Sequence, residues 1–210
     1  MAKIEQGALG GFDGKLGPAV GFNWKGRACM RSMPSRYRDR NTRRQRHQRR
    51  LFAATTQLAS RMLPAAKIGL RGPAADGQMS EMNYFIRLNK PCLTLEEGTV
   101  GIDYTRLRLA EGALPAVHFG TPRATDATRI GVDFRDDEAD GGCATDYVYL
   151  YTYAPEEGQG VLSLPTYRSA GHVDLAVPAS WTGTELHLYG FAWDRASTAS
   201  DSRYLGSVTP

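Results

Sequence analysis

The sequence predicts a mainly β protein with a small helical part: a glycine-rich N-terminal arm, two helices and an antiparallel, immunoglobulin-like β-sandwich. Three observations lead to this class. Glycine recurs every three to five residues from Gly7 to Gly26, a helical apolar period covers residues 41–63, and the period becomes alternating from about Leu93. We therefore divide the chain into an arm (1–39), a basic helical segment (40–91) and a β-sandwich domain (92–210).

The arm combines glycine with alternating apolar residues. Glycine at this density loses much backbone entropy on folding, so the arm needs something to pack against. Hairpins on its own body and a contact with a neighbouring subunit are both consistent with the pattern. The predicted apolar anchors of the arm are Phe12, Phe22 and Trp24.

Two helices are predicted in the segment that follows. Thr42 and Gln45 have the spacing of a capping box at the start of the first helix, and Pro64 is expected to end it. Its apolar stripe consists of Leu51, Thr55, Leu58 and Met62. The second helix is predicted over residues 76–89, with Asp76 as its N-cap.

Short alternating segments separated by turn residues fill the rest of the chain. The predicted strands cover residues 99–109, 116–119, 128–134, 144–153, 161–164, 172–177, 184–193 and 202–209. This number and spacing of strands is typical of a sandwich. In residues 147–153 tyrosines alternate with Val148, Leu150 and Thr152, so the strand either shows an aromatic row to solvent or is covered on both faces.

Positive charge is concentrated between Lys25 and Arg50. This stretch holds eleven of the 26 Lys and Arg residues and is opposed only by Asp39, so the net charge of +4 understates the asymmetry. The predicted anion-binding residues are Arg40, Arg43, Arg44, Arg46, Arg49 and Arg50. Arginine suits bidentate contacts with phosphate and carboxylate, which leaves nucleic acid and an acidic protein surface as candidate partners.

An acidic complement lies on the predicted β-domain loops. It consists of Asp133, Asp136, Asp137, Glu138, Asp140, Glu156 and Glu157. Part of it resembles the first half of a calcium loop, but Tyr147 stands where the bidentate glutamate of an EF-hand is required. A solvated turn is the expected structure there.

We expect no catalysis, no cofactor and no metal. The four histidines are scattered, and Gly14-Lys15 is followed by Leu16, where a phosphate-binding loop needs Ser or Thr. Three widely spaced cysteines fit free thiols, and neither a secretory signal nor a membrane-spanning run is visible. The expected location is therefore the cytoplasm or a virion-like particle, without membrane contact.

Several motifs together resemble an uncharacterised Bacteroidota family known as a domain of unknown function. They are Gly10-Gly11-Phe12-x-Gly14-Lys15-x-Gly17, Val20-Gly21-x-x-Trp24-Lys25-Gly26, Arg31-Ser32-x-Pro34, Asn41-Thr42-x-x-Gln45-x-x-x-Arg49-x-x-Phe52 and Ser202-x-Tyr204-Leu205-Gly206-Ser207. The resemblance assigns no activity. It implies a gut or oral bacterium, or a phage of one, and the helix is similar in style to helices of phage structural proteins.

The sequence favours a non-enzymatic structural protein that forms a homo-oligomer or larger assembly, with a phage-like particle as its setting. The arm and the arginine-rich helix would supply the subunit contacts. One alternative is a nucleic-acid-binding protein that uses the same arginines. A second is a carbohydrate-binding β-module, in which Trp181 or Trp193 would stack on sugars, although such residues more often fill a sandwich core.

Overall fold

The computed structural model describes residues 3–4, 11–24, 26–33, 39–96, 98–135, 142–196 and 198–210. Its contacts divide the chain into two compact units, Met1–Thr42 and Arg43–Pro210. The larger unit contains the helices and the β-sandwich.

In its described residues the N-terminal unit contains one antiparallel sheet, which we call the N-terminal sheet. Its strands are β1 (Lys3–Ile4), β2 (Phe12–Leu16), β3 (Ala19–Trp24) and β4 (Arg27–Ser32), paired in chain order. Gly17 and Gly26 adopt φ of 57° and 79° in the turns on either side of β3, a region that favours glycine. Gly21 has no room for a side chain, because a Cβ there would overlap the Phe12 carbonyl and ring.

The first helix, α1 (Arg43–Gly69), begins directly after Thr42 but continues past Pro64, so the predicted end was wrong. An internal proline costs about 3 kcal/mol, because it removes one backbone hydrogen bond and crowds the preceding turn. Ala65, Ala66 and Gly69 lie buried beyond the proline, and their packing offsets that cost.

The predicted second helix is two helices, α2 (Arg71–Asp76) and α3 (Glu81–Asn89). Asp76 ends α2 instead of starting a helix, and Gln78 adopts a left-handed φ of 51° at the break. Ser80 is the N-cap of α3, since its hydroxyl accepts a hydrogen bond from the Asn83 N–H at 3.3 Å. The chain therefore has three helices in its described part, where two were expected.

The C-terminal part of the chain forms two packed antiparallel sheets and one separate two-stranded hairpin. The strands are β5 (Leu93–Glu96), β6 (Thr99–Ile102), β7 (His118–Phe119), β8 (Arg123–Asp126), β9 (Arg129–Arg135), β10 (Tyr147–Ala154), β11 (Gln159–Leu162), β12 (Thr166–Tyr167), β13 (His172–Ala176), β14 (Leu186–Trp193) and β15 (Arg203–Val208). One sheet has the order β11-β10-β14-β15 with β12 also on β10, and the other has β13-β9-β7 with β8 also on β9. The mainly β, immunoglobulin-like class is thereby confirmed.

Strand β10 is covered on both faces within the larger unit. Val148 and Leu150 face the second sheet, where they join Ile130, Val132 and Trp181 in a core between the sheets. The tyrosines of β10 face the helices, in a second core with Leu58, Met62 and Phe85. The aromatic row is thus a platform for the helical layer. Strands β5 and β6 form a separate hairpin that packs beside α1.

Candidate anion-binding site

The predicted anion-binding arginines occupy the first turns of α1. Residues 43–50 are all exposed, and burial on this helix begins only around Leu51 and Thr55. At 1.5 Å per residue, the exposed start is about 12 Å long. Arg40 lies in the N-terminal unit and is also exposed. Lys25, Arg36 and Arg38 lie outside the described residues.

Helical spacing brings part of this charge to one side of α1. Arg43, Arg46, His47 and Arg50 are at positions i, i+3, i+4 and i+7, which share a face, whereas Arg44 and Arg49 point elsewhere. Together with Leu95 and Gly98 these four side chains line a depression of about 300 Å³, which we call the basic cavity. Sequence analysis assigned the arginines but had no means of finding the opposite wall.

The β5–β6 hairpin supplies that wall. Gly98 adopts φ of 88° in its turn, and the Arg50 guanidinium lies 3.5 Å from where a Cβ on Gly98 would be. Leu95 gives the cavity an apolar patch, while alternation along β5 turns the exposed Glu96 to the other face of the hairpin. The cavity can therefore hold the carboxylate of an anion and also the methylene groups that carry it.

The charges that α1 contributes to the basic cavity are all positive. The first turn of α1 contains no acidic residue, and the helix dipole adds partial positive charge at this end. Like charges at i, i+3 and i+4 repel by a few tenths of a kcal/mol per pair. Within the described residues, no ion pair is found for Arg43, Arg46 or Arg50. An anionic ligand would relieve this repulsion.

A second depression of about 330 Å³ follows along the same side of α1. Its lining comprises Ala54, Gln57, Leu58, Arg61, Val100, Ile102, Tyr153 and Gly158. Nearby, the Tyr151 hydroxyl donates a hydrogen bond to the Arg61 carbonyl at 2.8 Å, which fixes the helix on the sheet. Burial raises the pKa of Tyr151, so this donor stays protonated.

The predicted arm anchors lie on different faces of the N-terminal sheet. Phe12 is half-buried over Gly21, on the same face as Met30, because directly paired residues point the same way. Phe22 and Trp24 alternate to the other face and are 37% and 58% exposed. The structure therefore does not gather the three aromatics into one cluster.

The tryptophans and Asp133, which the sequence also suggested as candidates, are packed or already paired with another side chain. Trp181 is 2% exposed in the inter-sheet core, and Trp193 packs against Tyr147 with ring centroids 6.4 Å apart. Asp133 interacts with His172, while the acidic residues 136–140 lie outside the described residues. Among the residues the structure describes, no three metal-ligand side chains converge.

Sequence reasoning missed two clusters that only the fold assembles. In one, the Arg195 guanidinium lies 4.4 Å from the Tyr147 ring centroid and 5.3 Å from that of Tyr167. In the other, the buried Arg168 donates hydrogen bonds to the Pro115 and Ala116 carbonyls. Both arginines are isolated in sequence, so no local pattern marked them.

These features define a sandwich protein with a helical layer on one sheet and a basic helix end. The chain belongs to the family of unknown function DUF6266, whose profile matches residues 11–206. Comparison with curated proteins gives no match. Among solved structures, the fn3 domain of human collagen alpha-1(XX) chain is similar at 15% identity and a TM-score of 0.34, covering 48% of this chain and 83% of that one. In the described part of the chain, no helix is both long and apolar enough to cross a bilayer.

Proposed function

We propose that this protein is a non-enzymatic assembly protein whose N-terminal sheet and arginine-rich helix make subunit contacts. The observation that carries the proposal is the N-terminal sheet, a single layer with large apolar side chains exposed on both faces. Met30 and Leu16 are 69% and 53% exposed on one face, and Phe22 is 37% exposed on the other.

A sheet that stands alone leaves such side chains in contact with water, which is unfavourable. A sheet gains stability by burying one face against a second layer, and an isolated ribbon is marginal in water. Burial of a large apolar side chain contributes roughly 1.5–3 kcal/mol, so covering these residues with a neighbouring subunit would be strongly favourable. Among the described strands β4 is also at the edge of this sheet, and an edge strand can pair with another chain.

The basic cavity adds a second kind of contact. Charge complementarity fixes the register of an interface and speeds association, whereas apolar contacts supply most of the affinity. The setting we propose is a phage-like particle, because the motifs at both chain ends resemble a Bacteroidota family and α1 is similar in style to helices of phage structural proteins. The proposed location is then a bacterial cytoplasm or the particle itself.

Full-length variants test the apolar contact. Phe22→Glu and Met30→Glu each place a charge on one face of the N-terminal sheet, and Thr125→Glu is the matched control at an exposed polar position of β8, away from that sheet. Light scattering after size exclusion should show a multimer for the parent and the control, and dissociation toward 23.0 kDa for at least one of the two apolar variants. A parent that stays monomeric at all concentrations would refute the proposal.

A second candidate, nucleic-acid binding, is favoured by the cluster of Arg43, Arg46 and Arg50 on one helix face. Three phosphate contacts on single-stranded DNA would give a slope of about −2 in log affinity against log salt concentration. Fluorescence anisotropy with a labelled 20-mer at 50 and 200 mM salt measures it. The triple charge reversal R43E/R46E/R50E should abolish that binding, and an absence of binding by the parent at 50 mM rejects this candidate.

A further inference from the structure

We infer that the occupant of the basic cavity is the turn between β10 and β11 of a second copy of the chain. This turn, which we call the acidic turn, consists of Pro155, Glu156, Glu157 and Gly158. The inference rests on the proposed assembly function and names the two surfaces that meet.

The acidic turn is a hydrogen-bonded β-turn whose two charges are exposed. The Gly158 N–H donates a hydrogen bond to the Pro155 carbonyl at 3.2 Å, and Gly158 adopts φ of 60°. Ala154 and Gln159 pair directly behind it, so the turn closes a regular hairpin. Glu156 and Glu157 therefore occupy the two corner positions, and both are exposed.

Among the described residues, most other carboxylates of the larger unit have partners. Asp133 and Asp174 contact His172, and Asp201 and Glu111 lie on Arg108. Asp146 pairs with the buried Arg168. In the part of the chain that the structure describes, Glu156 and Glu157 are the one adjacent pair of acidic residues, and no ion pair is found for either. Among the residues that the structure describes, they are the strongest anionic feature available for docking.

The two surfaces do not meet within one chain. The side chain beside the acidic turn is Arg61, whose guanidinium carbon is 4.0 Å from where a Cβ on Gly158 would be. Arg50 precedes Arg61 by eleven residues, which places it about 16 Å further along the helix axis, and Arg43 is further still. The basic cavity therefore remains accessible to the acidic turn of another copy.

The chemistry of the two surfaces is complementary. Two carboxylates would face three guanidinium groups, which form paired hydrogen bonds with carboxylate oxygens. The methylene groups of the glutamates would lie on Leu95. Because the cavity and the turn are different patches, the contact is heterologous, and a pair of copies keeps one free cavity and one free acidic turn. Such a contact can repeat from one copy to the next.

Charge exchange in the full-length protein tests this contact. The variants are E156R/E157R, which reverses the charge of the acidic turn, and R43E/R46E, which reverses the charge of two arginines in the basic cavity. Each alone should self-associate about 10-fold or more weakly than the parent at 50 mM salt, and an equimolar mixture should regain assembly. The matched control D76R/E185R makes the same charge change at two exposed acidic positions and should assemble as the parent does.

Each outcome decides a specific question. If E156R/E157R assembles as the parent does while Phe22→Glu or Met30→Glu dissociates, the acidic turn is not the occupant but the assembly function stands. If the parent is monomeric throughout, both proposals fail. If R43E/R46E loses bound nucleic acid, detected by the 260/280 nm ratio, and its assembly is unchanged, the occupant is a phosphate backbone and this inference is overturned.

Discussion

Replacing Arg168 by methionine should destabilise the sandwich more than any surface substitution. Arg168 is 1% exposed and begins the short 3₁₀ turn Arg168–Ala170. Its guanidinium donates hydrogen bonds to the Pro115 and Ala116 carbonyls at 3.0 and 3.2 Å and lies 3.7 Å from the Asp146 carboxylate. One side chain thus joins three separate loops at the same end of the sandwich.

The magnitude follows from what R168M leaves behind. Asp146 is also buried, and it would keep only the hydrogen bond from the Cys143 N–H among the contacts described here. Leaving one member of a buried ion pair uncompensated costs about 3–5 kcal/mol. That is a large fraction of the roughly 5–15 kcal/mol that stabilises a typical protein, and it corresponds to a fall in Tm of roughly 10 °C.

Urea unfolding followed by tryptophan fluorescence measures this cost, because Trp181 in the inter-sheet core reports on the sandwich. The control is Arg203→Met on the exposed surface of β15, which should change the free energy of unfolding by less than about 0.5 kcal/mol. The double variant D146N/R168M should recover about 1 kcal/mol or more relative to R168M, since it removes the stranded charge. An R168M protein as stable as the Arg203 control would refute this reasoning.

Two further predictions concern titrating groups. The Thr145 hydroxyl lies 3.1 Å from the Cys143 sulfur and lowers the pKa of that exposed thiol, whereas burial raises the pKa of Cys92. Iodoacetamide near pH 8 should therefore modify Cys143 before Cys92, and peptide mass mapping measures the order. Hydrogen bonds with Asp133 and then Asp174 raise the pKa of His172, so its contribution to stability is full below pH 6.5 and is lost as the pH rises through the folded pKa. An NMR titration should show a lower His172 pKa in D133N, and an unchanged value would contradict this assignment.

The sequence was sufficient for the β class because alternation and turn residues are local signals. It was insufficient for the helix ends, because these depend on which residues are buried in the tertiary structure. Pro64 predicts that the helix stops, because proline removes a backbone hydrogen bond, yet the apolar residues after it are buried in the core beside the sheet, and this burial offsets the cost of the proline. Asp76, the predicted N-cap, is the last residue of α2, and Ser80 caps α3 instead.

The candidate site could likewise be predicted only in part. The arginines of α1 could be assigned from composition and helical spacing, but the cavity they line needs Leu95 and Gly98, which lie about fifty residues later in the chain. The hydrogen bond from the Tyr151 hydroxyl to the Arg61 carbonyl is equally non-local. Long-range contacts of this kind have no signature in a single sequence.

The anchoring of α1 in the core explains physically why its charged N-terminal turns are available to a partner. An isolated helix of eight residues with repelling charges would be unstable in water, because helix nucleation is unfavourable and short helices are marginal. Residues 43–50 are helical because they extend a segment that is held in the core from Thr55 onward. The buried part therefore bears the cost of forming the exposed part. An anion that binds the basic cavity meets arginines already in position, and more of its interaction energy is retained as affinity.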